Sequence, residues 1–490
     1  MKKIFFYLFI TFFSINIANS QEERNSSSIS WVDTTLDGSE KYVLRIDGKP
    51  FYMTSIQIRL DKLKGYLGWD DTALEAVIKQ AAEDGFNSVS IPVCWRDVEP
   101  EKDKFDWTTL DKYMNWCKKY NLKMELLWFS WSSGGRIQWL TKNDKTPMRE
   151  LRVPDYVCSK EGTSEFKVVR NTDPWTLDWL DKNLCNRDRY ILEQIMEHIA
   201  IWDIQNGNPL TVIGVQLGNE PHGHEISISP SHIIDYFHHV GAAVKDSRYK
   251  VWTRLNCVSW MTPDYIKANE DKRANGSTNI DFVGIDIYGT TAQAVRVDFN
   301  GQMPRMGKNY NMIMEIDAKD PKTPVYQIAA LAGNKAFNYY NMAAVDGNDL
   351  YTNKDAVLVE RPHISDVRKR NKILNMANED IATKAHKKSL YVYNYDGNIV
   401  NKEEVGIDGI SFNAPFSRAQ AIGIRRSESE YVLLSTETGR FTIPDSLKII
   451  SASIGYFDNG NKWVKEGDIS IKENKIDMPA TSAILLNIKH

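Results

Sequence analysis

Between about residue 42 and residue 390, short apolar runs alternate with amphipathic patterns, and no other feature of the chain narrows its fold so far. Eight runs read as strands: 51–58, 87–93, 122–129, 211–217, 249–255, 281–288, 311–316 and 335–341. Helical patterns lie between most of them. The clearest is Asp71–Gly85, with apolar residues at helical spacing and a closing glycine. Strands that alternate with helices build a parallel sheet, and eight such units predict an α/β fold closed into a (β/α)8 TIM barrel over residues 41–389. The stretch 136–186 is a long excursion after the third strand, on the face where these barrels carry their chemistry. After a charged helical stretch at 361–389 the pattern changes. Residues 390–490 read as short strands and turns (SLYVYNYDG, EYVLLST, KIISASIGYFDNG, SAILLNI), which predicts a small C-terminal β-sandwich.

The first twenty residues, MKKIFFYLFITFFSINIANS, have a basic start, a short apolar run and a small-x-small site at Ala18-Asn19-Ser20. They read as a cleaved secretory signal without a lipid-anchor cysteine, so the expected location is periplasmic or extracellular. Residues 21–40 read as a flexible N-terminal segment. No later stretch nears the apolar length of a membrane span. Lys+Arg is 61 against Asp+Glu 64, a net charge of −3, which speaks against a nucleic-acid partner. Five cysteines at irregular spacing (94, 117, 158, 185, 257) contain no CxxC. A single disulfide, Cys158–Cys185, is the expected pairing if one forms, and buried free thiols are expected for the rest.

Two glutamates end strands, where barrel chemistry sits. Val215-Gln216-Leu217-Gly218-Asn219-Glu220-Pro221 follows the fourth strand, and Met312-Ile313-Met314-Glu315-Ile316 forms the seventh. In the first, the Asn219 amide suits a substrate hydroxyl while the Glu220 carboxyl shuttles a proton. In the second, Glu315 interrupts an apolar run, and a buried carboxylate is costly unless it is satisfied or used. Such a pair serves glycoside hydrolysis, with one carboxyl protonating the leaving oxygen and the other attacking the anomeric carbon. The two need different environments, because one must stay ionised and the other must hold a proton.

At this point the residues resemble a family. The pattern is similar to the clan A glycoside hydrolases, whose acid/base follows an Asn after strand four and whose nucleophile ends strand seven. Within the clan it resembles the family 35 and family 42 β-galactosidases. Strand two carries Trp95-x-x-x-Glu99-Pro100, then Phe105-Asp106. Strand three carries Trp131-x-x-Gly134-Gly135-x-x-x-Trp139-Leu140, and strand eight carries Phe337-Asn338-Tyr339-Tyr340. The resemblance implies Glu220 as acid/base and Glu315 as nucleophile, with Tyr288 hydrogen-bonded to the nucleophile. It departs from family 35 where that family has E-N-E-Y-G, since this chain has Gly218-Asn219-Glu220-Pro221-His222. Ser130 stands at the position of the galactose-recognising Glu. Gln57 and Ile58 replace the His and Tyr of S-I-H-Y, and Asn341-Met342-Ala343-Ala344 replaces a Gly-rich stretch. The reaction type survives these departures, whereas several galactose contacts do not.

Trp128, Trp131, Tyr340 and Gln57 are the further candidate contacts to sugar; for the two tryptophans core packing is the competing reading. The chain has 14 Trp, twelve of them between Trp69 and Trp260. Trp95, Trp131 and Trp139 sit in the spaced motifs. Glu99 reads as a structural surface carboxylate in the E-P turn. His222-Gly223-His224-Glu225 invites a zinc reading, but its spacing matches no helical zinc motif, and His222 reads instead as lining the cleft. His238 and His239 read as a helix flank. The expectation is therefore a retaining exo-β-glycosidase acting on a carbohydrate substrate with neither cofactor nor metal. An endo-acting β-glycanase and a catalytically silent carbohydrate-binding relative are the alternatives.

Overall fold

Eight parallel strands close on themselves in chain order. They are β1 (Thr54–Gln57), β2 (Ser88–Val93), β3 (Lys123–Trp128), β4 (Val212–Asn219), β5 (Trp252–Val258), β6 (Phe282–Ile287), β7 (Met312–Ile316) and β8 (Ala336–Tyr339). The computed structural model describes residues 28–139, 150–222, 228–288, 291–297, 308–343, 347–398 and 402–489. The leader expected at residues 1–20 lies outside the described residues. Closure comes from β8 against β1, in the register Phe337↔Thr54 and Tyr339↔Ile56.

Two of the eight expected strands are displaced, each for a physical reason. The run 51–58 spans two elements: Lys49–Phe51 belongs to an N-terminal antiparallel sheet, and β1 begins only at Thr54. The run 249–255 is observed at 252–258. Its polar and apolar residues alternate. Leu255 and Cys257 pack into the outer apolar core, while Arg254 and Asn256 bond to side chains of non-adjacent strands across the lumen. Gly214 on β4 gives the lumen room, since a Cβ there would lie 1.9 Å from Nε1 of Trp252.

The outer layer comprises α1 (Asp71–Glu83), α2 (Thr108–Lys119), α3 (Lys182–Gln205), α4 (Pro230–Lys245), α5 (Thr262–Ala274), α6 (Thr323–Ala332) and α7 (Ile364–Met376), with shorter helices between. α1 shows how the sequence sets such a helix. Asp70 caps it by accepting from the Ala73 amide at 2.9 Å, and Leu74, Val77, Ile78 and Ala81 form the buried stripe.

The C-terminal region is a two-sheet sandwich. A six-stranded sheet is ordered Leu390–Tyr393, Ala421–Arg425, Glu430–Ser435, Ser482–Lys489, Lys448–Phe457, Trp463–Asp468, and a five-stranded sheet faces it. Alternation splits the six-stranded sheet between two cores. Tyr393, Tyr431, Leu433, Ile484 and Leu486 pack toward Phe412 and Phe441 of the second sheet. Leu390, Val392, Val432, Leu434 and Leu485 pack with Ile328 and Leu331 of α6 and Ile373 and Leu374 of α7. Every residue of α6 is buried as a result. Arg370 of α7 crosses the junction, donating to the Gln420 side chain and the Arg418 carbonyl.

Two expectations are corrected here. Part of the segment read as flexible is pinned: Ser30–Asp33 is a strand paired with Val43–Ile46, with Ile29 and Ser30 buried and the Ile29 amide donating to Lys250. Cys158 and Cys185 are both free thiols; their Sγ atoms lie against the carbonyls of Ser159 and Tyr236 respectively. Among the described residues no helix is long and apolar enough to cross a membrane.

Candidate active site

Strand β4 delivers Asn219 and Glu220 to the C-terminal mouth of the barrel. Asn219 is 9 % exposed, and its Oδ1 accepts from Gln216 Nε2 at 3.1 Å and from Asn256 Nδ2 at 3.0 Å. Its own Nδ2 donates to Ser133 Oγ at 3.3 Å, which ties the strand end to the excursion after β3. Glu220 takes φ of 44°, in the left-handed region, and its amide donates to the Asn256 carbonyl at 2.8 Å. A non-glycine residue held there costs on the order of 1–3 kcal/mol, and such strain clusters at functional sites.

Strand β7 delivers Glu315, 6 % exposed. Its Oε1 accepts from Asn256 Nδ2 at 3.1 Å, and its Oε2 accepts a short hydrogen bond from the Tyr288 hydroxyl. Tyr288 packs edge-on against Tyr340, ring centroids 5.8 Å apart. Asn256 on β5 is thus the hub: one side chain and its backbone bind Asn219, Glu220 and Glu315 together. The sequence reading missed Asn256 because the run read as the fifth strand, 249–255, ends one residue before it. Its two-residue spacing from Arg254, with apolar Leu255 and Cys257 alternating, is the signal that identifies a lumen-facing side chain.

A third carboxyl completes the site. Asp286 on β6 stands opposite Glu315 in the strand register and is 3 % exposed. Burial, then the charges of Glu315 and Glu220, push its pKa far above the ordinary range, which favours its neutral form. Burial, then the charge of Glu220, pushes Glu315 up to about 7, while Tyr288, Arg59 and Arg254 pull it back. Glu220 is raised as well, chiefly by burial. What separates the pair is their donors. Glu315 accepts from two side-chain donors and Glu220 from neither of them, so the charged form of Glu315 is the better supported by hydrogen bonds.

Below the mouth, Glu125 of β3 and Arg254 of β5 form a buried two-point ion pair at 2.6 and 2.7 Å, with Ser90 donating to the same carboxylate. Beside the mouth, Asp188 of α3 gathers Trp128 Nε1 at 2.8 Å, the Ser130 hydroxyl at 2.5 Å and the Tyr236 hydroxyl at 2.8 Å. This knot corrects the sugar-contact reading of two tryptophans. Trp128 has no accessible surface. Trp131 is 2 % exposed, donates to Tyr236 and packs on Trp179. Glu99 is structural but not on the surface: it is fully buried, accepting from Trp95 Nε1 at 2.8 Å, from the Asp103 amide and from Arg187. The W-x-x-x-E spacing is therefore a one-turn staple. Gln57 ends β1 buried, with Nε2 unpartnered. His238 is held by Asn269 and Ser277 on the flank of α4. His222 packs against Tyr265 with both ring nitrogens buried and unpartnered, and burial drops it to about 4, so it is neutral. His224 and Glu225 lie outside the described residues.

The raised carboxyls make stability depend on pH. Burial raises Asp188 to about 6 and holds Glu315 near 7, against ordinary values of 3.8 and 4.5. Between those limits the folded chain binds more protons than the unfolded chain. The stability they contribute is complete below the unfolded values and is lost as pH rises through 6 to 7. For Glu315 the loss is on the order of 3 kcal/mol. Glu315→Gln is therefore expected to melt above wild type at pH 8, with the gap closing by pH 5. A gap of equal size at both pH values in calorimetry would contradict the raised pKa.

The family 42 glycoside hydrolase profile, described as β-galactosidase, matches residues 67–146, a span that holds α1, β2 and β3 but neither glutamate. No curated protein is significantly similar to the chain. Among solved structures, the catalytic domain of a family 30 xylanase C from Talaromyces cellulolyticus is similar at TM-score 0.49 and 9% identity, covering 90% of this chain and 98% of that one. Endo-glycoceramidase II from Rhodococcus sp. is similar at TM-score 0.46 and 10% identity, covering 95% and 100%. The exo-β-1,4-mannosidase Op5Man5 from Opitutaceae bacterium strain TAV5 is similar at TM-score 0.47 and 12% identity, covering 68% and 61%.

Proposed function

We infer that this protein is a glycoside hydrolase of the clan A type, working as an exported, retaining exo-β-glycosidase. The observation that carries the reading is the Asn256 hub: it holds a carboxylate fed by two donors, Glu315, together with Glu220, a carboxyl that burial raises. Glu315 attacks the anomeric carbon while Glu220 gives its proton to the leaving oxygen. Water activated by Glu220 then releases the sugar with its anomeric configuration kept. Tyr288 steadies the Glu315 charge before attack, and Asn219, held by its two donors, presents its amide to a substrate hydroxyl.

Exo action is supported by the long excursion between β3 and α3, whose Trp175 and Trp179 are buried and whose Ser133 is bonded to Asn219. Such a wall beside the glutamates suits a closed pocket. The β-galactosidase description of the matching family puts a β-galactoside among the substrates to test, while Ser130 and Gln57 in place of galactose contacts leave the other β-glycosides on the same footing. The test is a panel of aryl β-glycosides (galactoside, glucoside, mannoside, xyloside, fucoside), with the anomer of the first product followed by proton NMR. Turnover with a β product and release of single sugars from oligosaccharide ends is expected. An α first product would refute retention, internal cleavage of a β-glycan would replace exo by endo action, and inertness on every glycoside would end the enzyme reading.

A further inference from the structure

Trp260 is the most exposed large apolar side chain among the described residues, at 73 %. Nine of the 13 other tryptophans are buried at 9 % exposure or less. It lies in the turn between the end of β5 and the start of α5, which places it on the C-terminal face with the glutamates. Its ring meets His222 edge-on at 6.5 Å, and His222 rests in turn on Tyr265 of α5 at 5.5 Å. His222 is two residues beyond Glu220, and the Glu220 amide is bonded to β5 itself. The indole is therefore braced from behind, open in front, and set on the acid/base side of the site. Tyr288 and Tyr340 stand with Glu315 on the other side.

Leaving groups depart on the side of the group that protonates them. We propose that Trp260 is the platform of a leaving-group subsite, stacking the apolar face of a neutral pyranose linked through the scissile oxygen. A neutral ring is specified because His222, the group beneath it, carries no charge and no free hydrogen-bonding atom at the surface. This deepens the glycosidase reading and rests on it.

The test compares substrates that differ only in the leaving group, using β-glycosyl fluorides and β-1,4-linked disaccharides of galactose, glucose, mannose and xylose. Trp260→Ala is expected to lower kcat/KM on the cleaved disaccharide on the order of 10-fold, the fall that loss of one aromatic contact face supports. The matching fluoride, which fills no leaving-group subsite, should be cleaved as by wild type, and Trp260→Phe should recover much of the loss. In Glu315→Gln the disaccharide should shift intrinsic fluorescence to the blue, and adding Trp260→Phe should abolish the shift. Equal losses on fluoride and disaccharide, or no loss on either, would overturn the platform while leaving the glycosidase reading intact. A wild type inert on both substrates would bring down the two together.

Discussion

Glu315→Gln should abolish turnover, lowering kcat/KM on an activated aryl glycoside on the order of 10⁵ to 10⁶-fold, as loss of a covalent nucleophile does. The structure explains why so conservative a change is so severe. Both oxygens of Glu315 accept hydrogen bonds, from Asn256 Nδ2 and from the Tyr288 hydroxyl. An amide keeps one acceptor and turns the other into a donor, so the Asn256 bond is kept only if the Tyr288 hydroxyl changes from donor to acceptor, and no oxygen anion is left to attack. The protein should stay folded, since at neutral pH the substitution removes a costly buried charge. A 2-deoxy-2-fluoro glycoside with a good leaving group should inactivate the wild type and add one sugar mass to the peptide holding Met312–Ile316. Mass found instead on the Phe282–Ile287 peptide would assign the attack to Asp286, and activity retained by Glu315→Gln would remove Glu315 from the chemistry.

The barrel was legible because its evidence is repeated: eight apolar runs, each in its place, survive the misplacement of two. The glutamates were legible because a charged residue in an apolar strand has few inexpensive explanations. What stayed hidden was the lumen. Arg254 and Asp286 lie inside runs read as strands and Asn256 just beyond one, but period-two alternation alone does not say which face turns to the lumen. Their partners, Glu125, Glu315 and Glu220, are distant in sequence and close only once the sheet has closed. The tryptophan motifs misled in the opposite direction. Trp95 and Trp131 recur at defined spacing because their ring nitrogens are fixed by Glu99 and Tyr236. The exposed indole, Trp260, belongs to none of those motifs. Spacing reports what a side chain is tied to, and an open aromatic face is tied to little.

Glu220→Gln should divide substrates by their leaving groups, and this separates an acid/base from every other role. A dinitrophenyl group departs without a proton, so its first step should change little, whereas an alkyl or sugar aglycone should lose roughly 10² to 10⁴-fold, the contribution of a positioned general acid. Burial raises the wild-type Glu220, which favours the protonated form that an acid catalyst needs until it deprotonates at higher pH. That deprotonation gives the basic limb of kcat/KM against pH, and the limb should vanish in the variant. The acidic limb, set by protonation of Glu315, should remain. For the second step, azide added to Glu220→Gly should enter the space left by the carboxyl and return a β-glycosyl azide, because an anion needs no general base to attack the glycosyl-enzyme. A loss equal across all leaving groups, with both pH limbs kept, would transfer the acid role to Asp286. That residue stands opposite Glu315 in the strand register, and burial and the charges of Glu315 and Glu220 push its pKa up.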